Sequence, residues 1–431
     1  MPARCAPYYV LFKDTHTMIT QSDCSKLDQQ DPISHLRDQF NLPPDVIYLD
    51  GNSLGAQPKA AMARVQQVVG QEWGHKLIGS WNSAGWFDLP SRLGDMLAPL
   101  IGAKAGEVVI TDTTSINLFK ALAAALQMQE KKQPNRKLIV SERSNFPTNL
   151  YMAQGLTEWI NLGYQIVLVD TPEQLWSAIN QDAAVVLLTQ VNYRTGALLD
   201  MQGINDHARA QGVMTIWDLC HSAGALPIDL NGSKADLAVG CSYKYLNGGP
   251  GAPAFIWVPE RHIPDFTHPL SGWWGHANPF AMHQTFTATP TIRRALCGTQ
   301  AIVSMSLIES GLDIFKQTDM ATIRSKSLAL TDLFMQIIDE RCAQHGLQLI
   351  TPKEHARRGS HVSYLHPHAY PLIQALIKRG IIGDYREPSV MRFGFTPLYT
   401  SFMDVWNAAD ALRDMLDNNS YEINAPRHAV T

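Results

Sequence analysis

Lys244 lies between two tyrosines in the stretch CSYKYLNGGPG, residues 241–251, after a short apolar run and before a glycine-rich turn. Lysines ordinarily sit on solvated faces. A lysine withdrawn from water gives up its charge readily and becomes an amine nucleophile able to form a Schiff base. Asp218 stands 26 residues earlier at the end of another apolar run, and His221 follows it three positions on. Thr114 and Ser115 open a strongly helical segment after the apolar run EVVIT. Hydroxyls and free amides at a helix start receive an anion well. Each feature alone has a plainer role: a helix cap, a carboxylate closing a strand, a core tyrosine. Together they meet the needs of a pyridoxal phosphate site, namely an amine, an acidic partner for the ring nitrogen and a phosphate cradle. His221 is placed to stack on the ring, and Tyr243 to offer its phenol to the phosphate or the reaction.

Competing chemistries lack their motifs. The chain has no GxxxxGK[ST] and no GxGxxG after the first strand, which argues against nucleoside triphosphates and dinucleotides. GNSLG, residues 51–55, is not a GxSxG nucleophile elbow. The six cysteines, Cys5, Cys24, Cys220, Cys241, Cys297 and Cys342, form no CxxC pair or zinc-finger spacing, so free thiols and a cytoplasmic setting are expected. The HPH of residues 366–368 reads as a loop rather than a metal site. With 35 basic against 39 acidic residues there is no field to attract nucleic acid. No apolar run is long enough to span a bilayer, and APYYVLF near the start, followed by Lys13 and Asp14, makes a poor signal peptide.

The elements that must hold these groups follow from the apolar rhythm. Short runs alternate with helical segments from about Gly102: EVVIT, KLIV, QIVLVD, AAVVLLTQV and VMTIWDL read as strands, with helices between them. The pattern predicts an α/β fold with a mostly parallel sheet covered by helices. Ligands bind at the carboxyl ends of such strands. Five strand ends carry polar groups: Asp112–Ser115, SERSNFPTN, QVNYRTG after Thr189, Asp218–His221, and Lys244. The expected organisation is an N-terminal arm over residues 1–45, a large domain over 46–310 and a small α+β domain over 311–431 packed with the N-terminal segment. The small domain is expected to open with one long helix over roughly 311–340, and the tail beyond Asp417 is polar.

At this point the chain resembles the kynureninase family of fold-type I pyridoxal phosphate enzymes. The likeness runs from about Ile47 to Phe402 on YLDGNSLG, TSINL, NFPTN, VNYRTG, WDLCHSAGALP, CSYKYLNGGPG, LSGWWGH and MRFGFTPLYTSF. It implies hydrolysis of L-kynurenine, or its 3-hydroxy form, to the anthranilate and L-alanine, a step of tryptophan degradation. It implies that Lys244 holds the cofactor, that Asp218 pairs with the ring nitrogen and that His221 and Phe146 lie against the ring. Pro147, Thr148 and Asn149 follow Phe146 in the same cofactor-binding segment, and Thr189 contacts the ring or its hydroxyl. Thr114, Ser115, Tyr243 and Trp273 hold the phosphate. Thr299 reaches the phosphate of a neighbouring subunit, since family members are homodimers with sites at the interface. Arg392 grips the substrate α-carboxylate as a fork. Lys244 acts as general base and Tyr243 protonates the β-carbon, while His75 and Trp81 are candidates for the aromatic slot. Two positions depart from the family pattern: Asn149 replaces the usual aspartate, and Cys220 the usual alanine. A related β-lyase such as a desulfurase would want a cysteine on a mobile glycine-rich loop, and neither Cys297 nor Cys342 has that setting. A non-catalytic scaffold of the same fold needs neither Lys244, Asp218 nor Arg392, and only Asn149 favours it.

Overall fold

Apolar runs rich in β-branched residues form most strands of the main sheet, and most of these end where polar residues begin. The computed structural model describes residues 18–424 and Arg427; Cys5, APYYVLF and the last residues of the polar tail lie outside the described residues. The N-terminal helix α1 (Gln21–Gln30) starts at Thr20, which with Asp23 forms a reciprocal capping box. Helices α2 (Ala60–Gln66) and α3 (Leu89–Leu97) precede the main sheet. That sheet is built from β1 (Val108–Ile110), α4 (Thr114–Lys132), β2 (Leu138–Glu142), α5 (Pro147–Ile160), β3 (Gln165–Val169), α6 (Pro172–Ala178), β4 (Ala183–Thr189), α7 (Met201–Gln211), β5 (Met214–Asp218), β6 (Leu237–Gly240) and β7 (Phe255–Trp257).

The seven strands lie in the order β1-β7-β6-β5-β4-β2-β3. The pairs β2/β3, β2/β4, β4/β5 and β5/β6 are parallel, whereas β7 runs antiparallel to both β1 and β6. The βα alternation does not reveal β7, because FIW arrives by a glycine-rich turn without a crossover helix. Strands β4 and β5 are buried along their whole length, as a sheet covered on both faces requires. One face packs on Leu118, Leu122 and Leu126 of α4 together with Leu156 of α5. The other packs on Leu93 and Leu97 of α3 and on Ile308 and Leu312 of α8 (Ile302–Phe315).

The single helix expected over residues 311–340 is two. Helix α8 ends at Phe315, and α9 (Met320–Arg341) restarts where Asp319 accepts from the Thr322 amide at 2.7 Å. Asp319 is thus a capping residue inside a run that reads as continuous helix. Residue 311, the expected domain boundary, falls within α8. A Cβ at Gly311 would stand 2.2 Å from the Leu246 carbonyl, so glycine there lets α8 press against the lysine turn. The second core gathers α9, α10 (Ala369–Lys378) and α11 (Phe402–Asp417) over an antiparallel sheet. Its strands are β8 (Gln348–Leu349), β9 (His361–Leu365), β10 (Asp384–Arg386) and β11 (Val390–Gly394), in the order β8-β9-β11-β10.

The N-terminal segment completes that second core. Cys24 and Leu27 of α1 are buried in it, and Asp28 accepts from the Phe402 and Met403 amides at 2.7 and 3.0 Å, capping α11. Lys326 pairs with Asp31 at 2.7 Å, both side chains fully enclosed. Ile47–Tyr48 pairs in parallel with Ile381–Ile382. The 366–368 stretch is a loop, with a His366 ring nitrogen 3.2 Å from the His345 carbonyl, and no metal-holding cluster occurs among the described residues. Among the described residues no helix is long and apolar enough to cross a membrane.

Candidate active site

Four strand ends and one helix start converge on a cavity of about 230 Å³ at the carboxyl edge of the main sheet. Asp218, the last residue of β5, forms its floor and is almost fully buried. Its Oδ1 accepts from the Cys220 amide at 2.8 Å, and its Oδ2 accepts from Asn149 Nδ2 at 2.8 Å. Thr189, at the end of β4, donates to Asn145 Oδ1 at 2.6 Å, and Asn145 also accepts from Asn149 at 3.1 Å. Asn145 Nδ2 is tied in turn to Ser141 Oγ at 3.0 Å. The carboxylate is therefore held from two sides by a braced amide network, which suits a buried anion awaiting a cationic partner.

Asn149 is a donor to Asp218. An ionised aspartate at that position would face the floor carboxylate with a second negative charge; asparagine supplies a hydrogen bond instead.

Lys244 enters from the turn after β6, and its Nζ lies 3.5 Å from His221 Nε2. Burial, followed by the charges of Lys244 and Arg392, holds His221 well below the usual imidazole range, so the ring is neutral beside the amine. Tyr243 lines the same wall, with Lys244 Nζ 5.8 Å from its ring centre. Burial pushes the Tyr243 phenol up, with the neighbouring Cys241 and Cys220 thiols adding to the effect, so it keeps its proton. The lysine turn is clamped from outside: Gly55 donates its amide to the Tyr243 carbonyl at 2.8 Å, and a Cβ on Gly55 would meet the Lys244 carbonyl at 2.3 Å. GNSLG, which has no role as an elbow, is thus the prop behind the lysine.

The cavity's far end is the start of α4. Thr113 caps the helix by accepting from the Ile116 amide at 3.3 Å, and Thr114 and Ser115 occupy the first helical positions beside the cavity. The positive end of a 19-residue helix faces that space. Phe146 and Tyr193 form the open wall, their rings edge to face at 5.2 Å. Cys220 lies against Thr114 Oγ1 at 3.6 Å, and interaction with Cys241, then burial, pushes its thiol well up.

Of the residues expected at the site, Thr114, Ser115, Phe146, Thr148, Asn149, Thr189, Asp218, His221, Tyr243 and Lys244 all line this cavity. Pro147 sits at the first turn of α5 and sets the helix start without lining the space. Trp273, packed against Trp274 at 4.9 Å, and the exposed Thr299 do not line it. Neither do His75, bonded to the Gly70 carbonyl at 2.7 Å, or Trp81, packed on Trp86 and Trp274. Arg392 is fully buried on β11, and Asp384 already occupies its fork. Motif reading assigned no role to Asn145, Tyr193 and Ser53, although NFPTN, VNYRTG and YLDGNSLG contain them, and it did not reach Asp384 or Arg386; the five lie far apart in sequence and show no period.

The donor set fits pyridoxal phosphate. A buried carboxylate, a reachable amine and a helix N-terminus with two hydroxyls match its ring nitrogen, aldehyde and phosphate. Among known proteins, the family model "Kynureninase C-terminal domain" matches residues 323–412. Kynureninase of Burkholderia pseudomallei (strain 1106a) is 60% identical over 416 residues, covering 96% of this chain and all of the relative. The chain belongs to the kynureninase family. The kynureninase of Pseudomonas fluorescens is 58% identical over the same coverage. The fold is shared more widely. A cysteine desulfurase from Thermococcus onnurineus NA1 superposes with a TM-score of 0.75 at 18% identity, covering 89% of this chain and 98% of that one. A C-DES variant with glycine linked to its PLP cofactor superposes with a TM-score of 0.76 at 15% identity, covering 88% and 99%. At such identities the likeness speaks for the fold alone.

Proposed function

We propose that this member of the kynureninase family hydrolyses the Cβ–Cγ bond of L-kynurenine, or of its 3-hydroxy form, releasing the anthranilate and L-alanine with pyridoxal phosphate as cofactor. The observation that carries the reading is the pairing of Asp218 and Lys244 in one cavity, in a chain about 60% identical to named kynureninases along nearly its whole length. Asp218 would hold the ring nitrogen, the amides of α4 with Thr114 and Ser115 the phosphate, and Lys244 the aldehyde carbon. When bound, pyridoxal phosphate supplies an electron sink for a carbanion at the substrate α-carbon. Lys244 Nζ would take the α-proton and return it before L-alanine leaves, with neutral His221 beside it. Water adds at the side-chain ketone. Tyr243 Oη, kept protonated by its burial, delivers a proton to the β-carbon as the anthranilate leaves.

A homodimer in the cytoplasm completes the reading. Trp273 and Thr299 do not line the cavity of their own chain, which suits delivery to a neighbouring site. Trp73, Leu77, Ile78, Phe280 and Met282 are exposed large apolar side chains, a surface that a second subunit would cover.

Absorbance and fluorescence test the proposal. Purified protein loaded with pyridoxal phosphate should absorb in the visible, and Lys244→Ala should abolish that band. Incubation with L-kynurenine should release fluorescent anthranilate. A loaded protein that stays colourless would refute the lysine assignment, and a coloured one that yields no anthranilate would refute the reaction.

A further inference from the structure

The expected carboxylate fork of Arg392 is taken by the protein itself. A guanidinium has five N–H bonds. In Arg392, Nε donates to Asp384 Oδ1 at 2.8 Å and Nη2 to Asp384 Oδ2. Nη2 also donates to Ser53 Oγ at 2.8 Å, and Nη1 donates to the Tyr193 carbonyl at 2.5 Å. One Nη1 hydrogen remains, on a side chain only 1% exposed.

A second guanidinium stands on the same two anchors. Arg386 Nη2 donates to Asp384 Oδ2 at 2.7 Å and to Ser53 Oγ at 3.1 Å. Its Nε is buried without a partner, and both Nη1 hydrogens are open among the described residues. Its side chain is 39% exposed, so a solute can reach it. The group also lies close to the cavity. Tyr193, whose carbonyl holds Arg392, lines the wall, and the charges of Arg392 and Arg386 both act on His221.

Charge balance points the same way. Two guanidiniums share the single carboxylate of Asp384. The nearby Asp50 carboxyl, raised to about 8 by burial and then by Asp384, is mostly neutral at physiological pH. The patch therefore carries close to one uncompensated positive charge, the complement of one substrate carboxylate.

We propose that Arg386 is a substrate-binding residue that receives the amino-acid α-carboxylate through its open N–H groups, while Arg392 gives its one remaining N–H and holds Asp384 and Tyr193 in position. This rests on the amino-acid substrate of the proposed function.

Cofactor-loaded Arg386→Gln and Arg386→Lys test it with three ligands: L-kynurenine, L-alanine, and the amine analogue of kynurenine that lacks the α-carboxylate. Loss of charge-assisted hydrogen bonds should raise KM for L-kynurenine, and the L-alanine dissociation constant read from visible absorbance, by about tenfold or more in the glutamine variant. kcat should change far less. The lysine variant should recover part of the loss, and the carboxylate-free amine should bind both variants as it binds the wild type. Equal weakening of all three ligands, or an unchanged L-alanine affinity, would overturn the assignment. If Arg386→Gln does not fold, the same contrast between ligands is read in Arg386→Lys. The L-alanine titration needs no turnover, so a wild type that makes no anthranilate would count against the reaction and leave the Arg386 result to be judged separately.

Discussion

Asp384→Asn is the most informative perturbation of the interior. The substitution keeps the side chain's shape and one acceptor but removes the negative charge between Arg392 and Arg386. In one rotamer its new amide hydrogens face Nη2 of both arginines and in the other they face Arg392 Nε, so donors meet donors either way. Removing one partner of a buried ion pair costs roughly 3–5 kcal/mol, because the other charge stays buried without compensation. For a chain of 431 residues the unfolding entropy makes this a fall in Tm of roughly 3–6 °C. Thermal denaturation followed by circular dichroism at neutral pH reads it directly. The pH dependence adds a second check. Burial alone would raise the Asp384 carboxyl, but the Arg392 charge and hydrogen bonds and then Arg386 more than offset it and hold it below the ordinary carboxylate range. A depressed folded-state pKa contributes stability above the unfolded value, and that stability is lost as pH falls through the folded value. The gap between wild type and variant should therefore be full at neutral pH and close in acid, below about pH 4. A Tm change under about 1 °C at neutral pH, or a gap that persists unchanged in acid, would refute the picture of a buried charge triad.

Two further outcomes follow from neighbouring residues. The Asp50 carboxyl, raised to about 8 by burial and then by the Asp384 charge, contributes stability that is full below the ordinary aspartate range and lost as pH rises toward 8. Asp50→Asn should therefore flatten the decline of Tm between weakly acid and weakly alkaline pH; an unchanged slope would show that Asp50 does not titrate there. Gly55→Ala forces a methyl group against the Lys244 carbonyl and Asn247 Cα, where built contacts are 2.3 and 2.8 Å. Overpacking of this kind costs about 1–3 kcal/mol, and displacing the lysine turn should lower cofactor occupancy, measured as visible absorbance per protein. Full occupancy with unchanged Tm would mean that the turn yields freely.

The groups legible in the sequence are those that end a periodic run. Lys244, Asp218, Thr189 and Thr114 each follow a buried apolar stretch, so the rule that parallel strands present ligands at their carboxyl ends was enough to single them out. The arginine cluster around Asp384 was hidden for a physical reason. Ser53 bonds Asp384 across 331 residues of chain, and Arg386 and Arg392 share those anchors from adjacent antiparallel strands. Such contacts leave no period and no local spacing to read. Arg392 drew notice through the family motif, yet its role as a fork looked simple because its engagement by Asp384 is a tertiary fact. The break between α8 and α9 failed to register because Asp319 is a weak signal inside a run of good helix formers. The antiparallel β7 was missed because its three residues have no partner helix.

The Asp28 cap on α11 also bears on how the protein is made. Asp28 leaves the ribosome long before the amides it accepts, those of Phe402 and Met403, which lie 374 and 375 residues further on. At about 5–20 residues per second the wait is roughly 20–75 s. Until α11 emerges, α1 lacks the helix it caps, and the core around Cys24 and Leu27 is incomplete. Among the described helices, the first in the chain is therefore among the last to dock, and the second core closes only once α11 has been made. A nascent chain stalled before α11 would carry α1 without the helix that Asp28 caps.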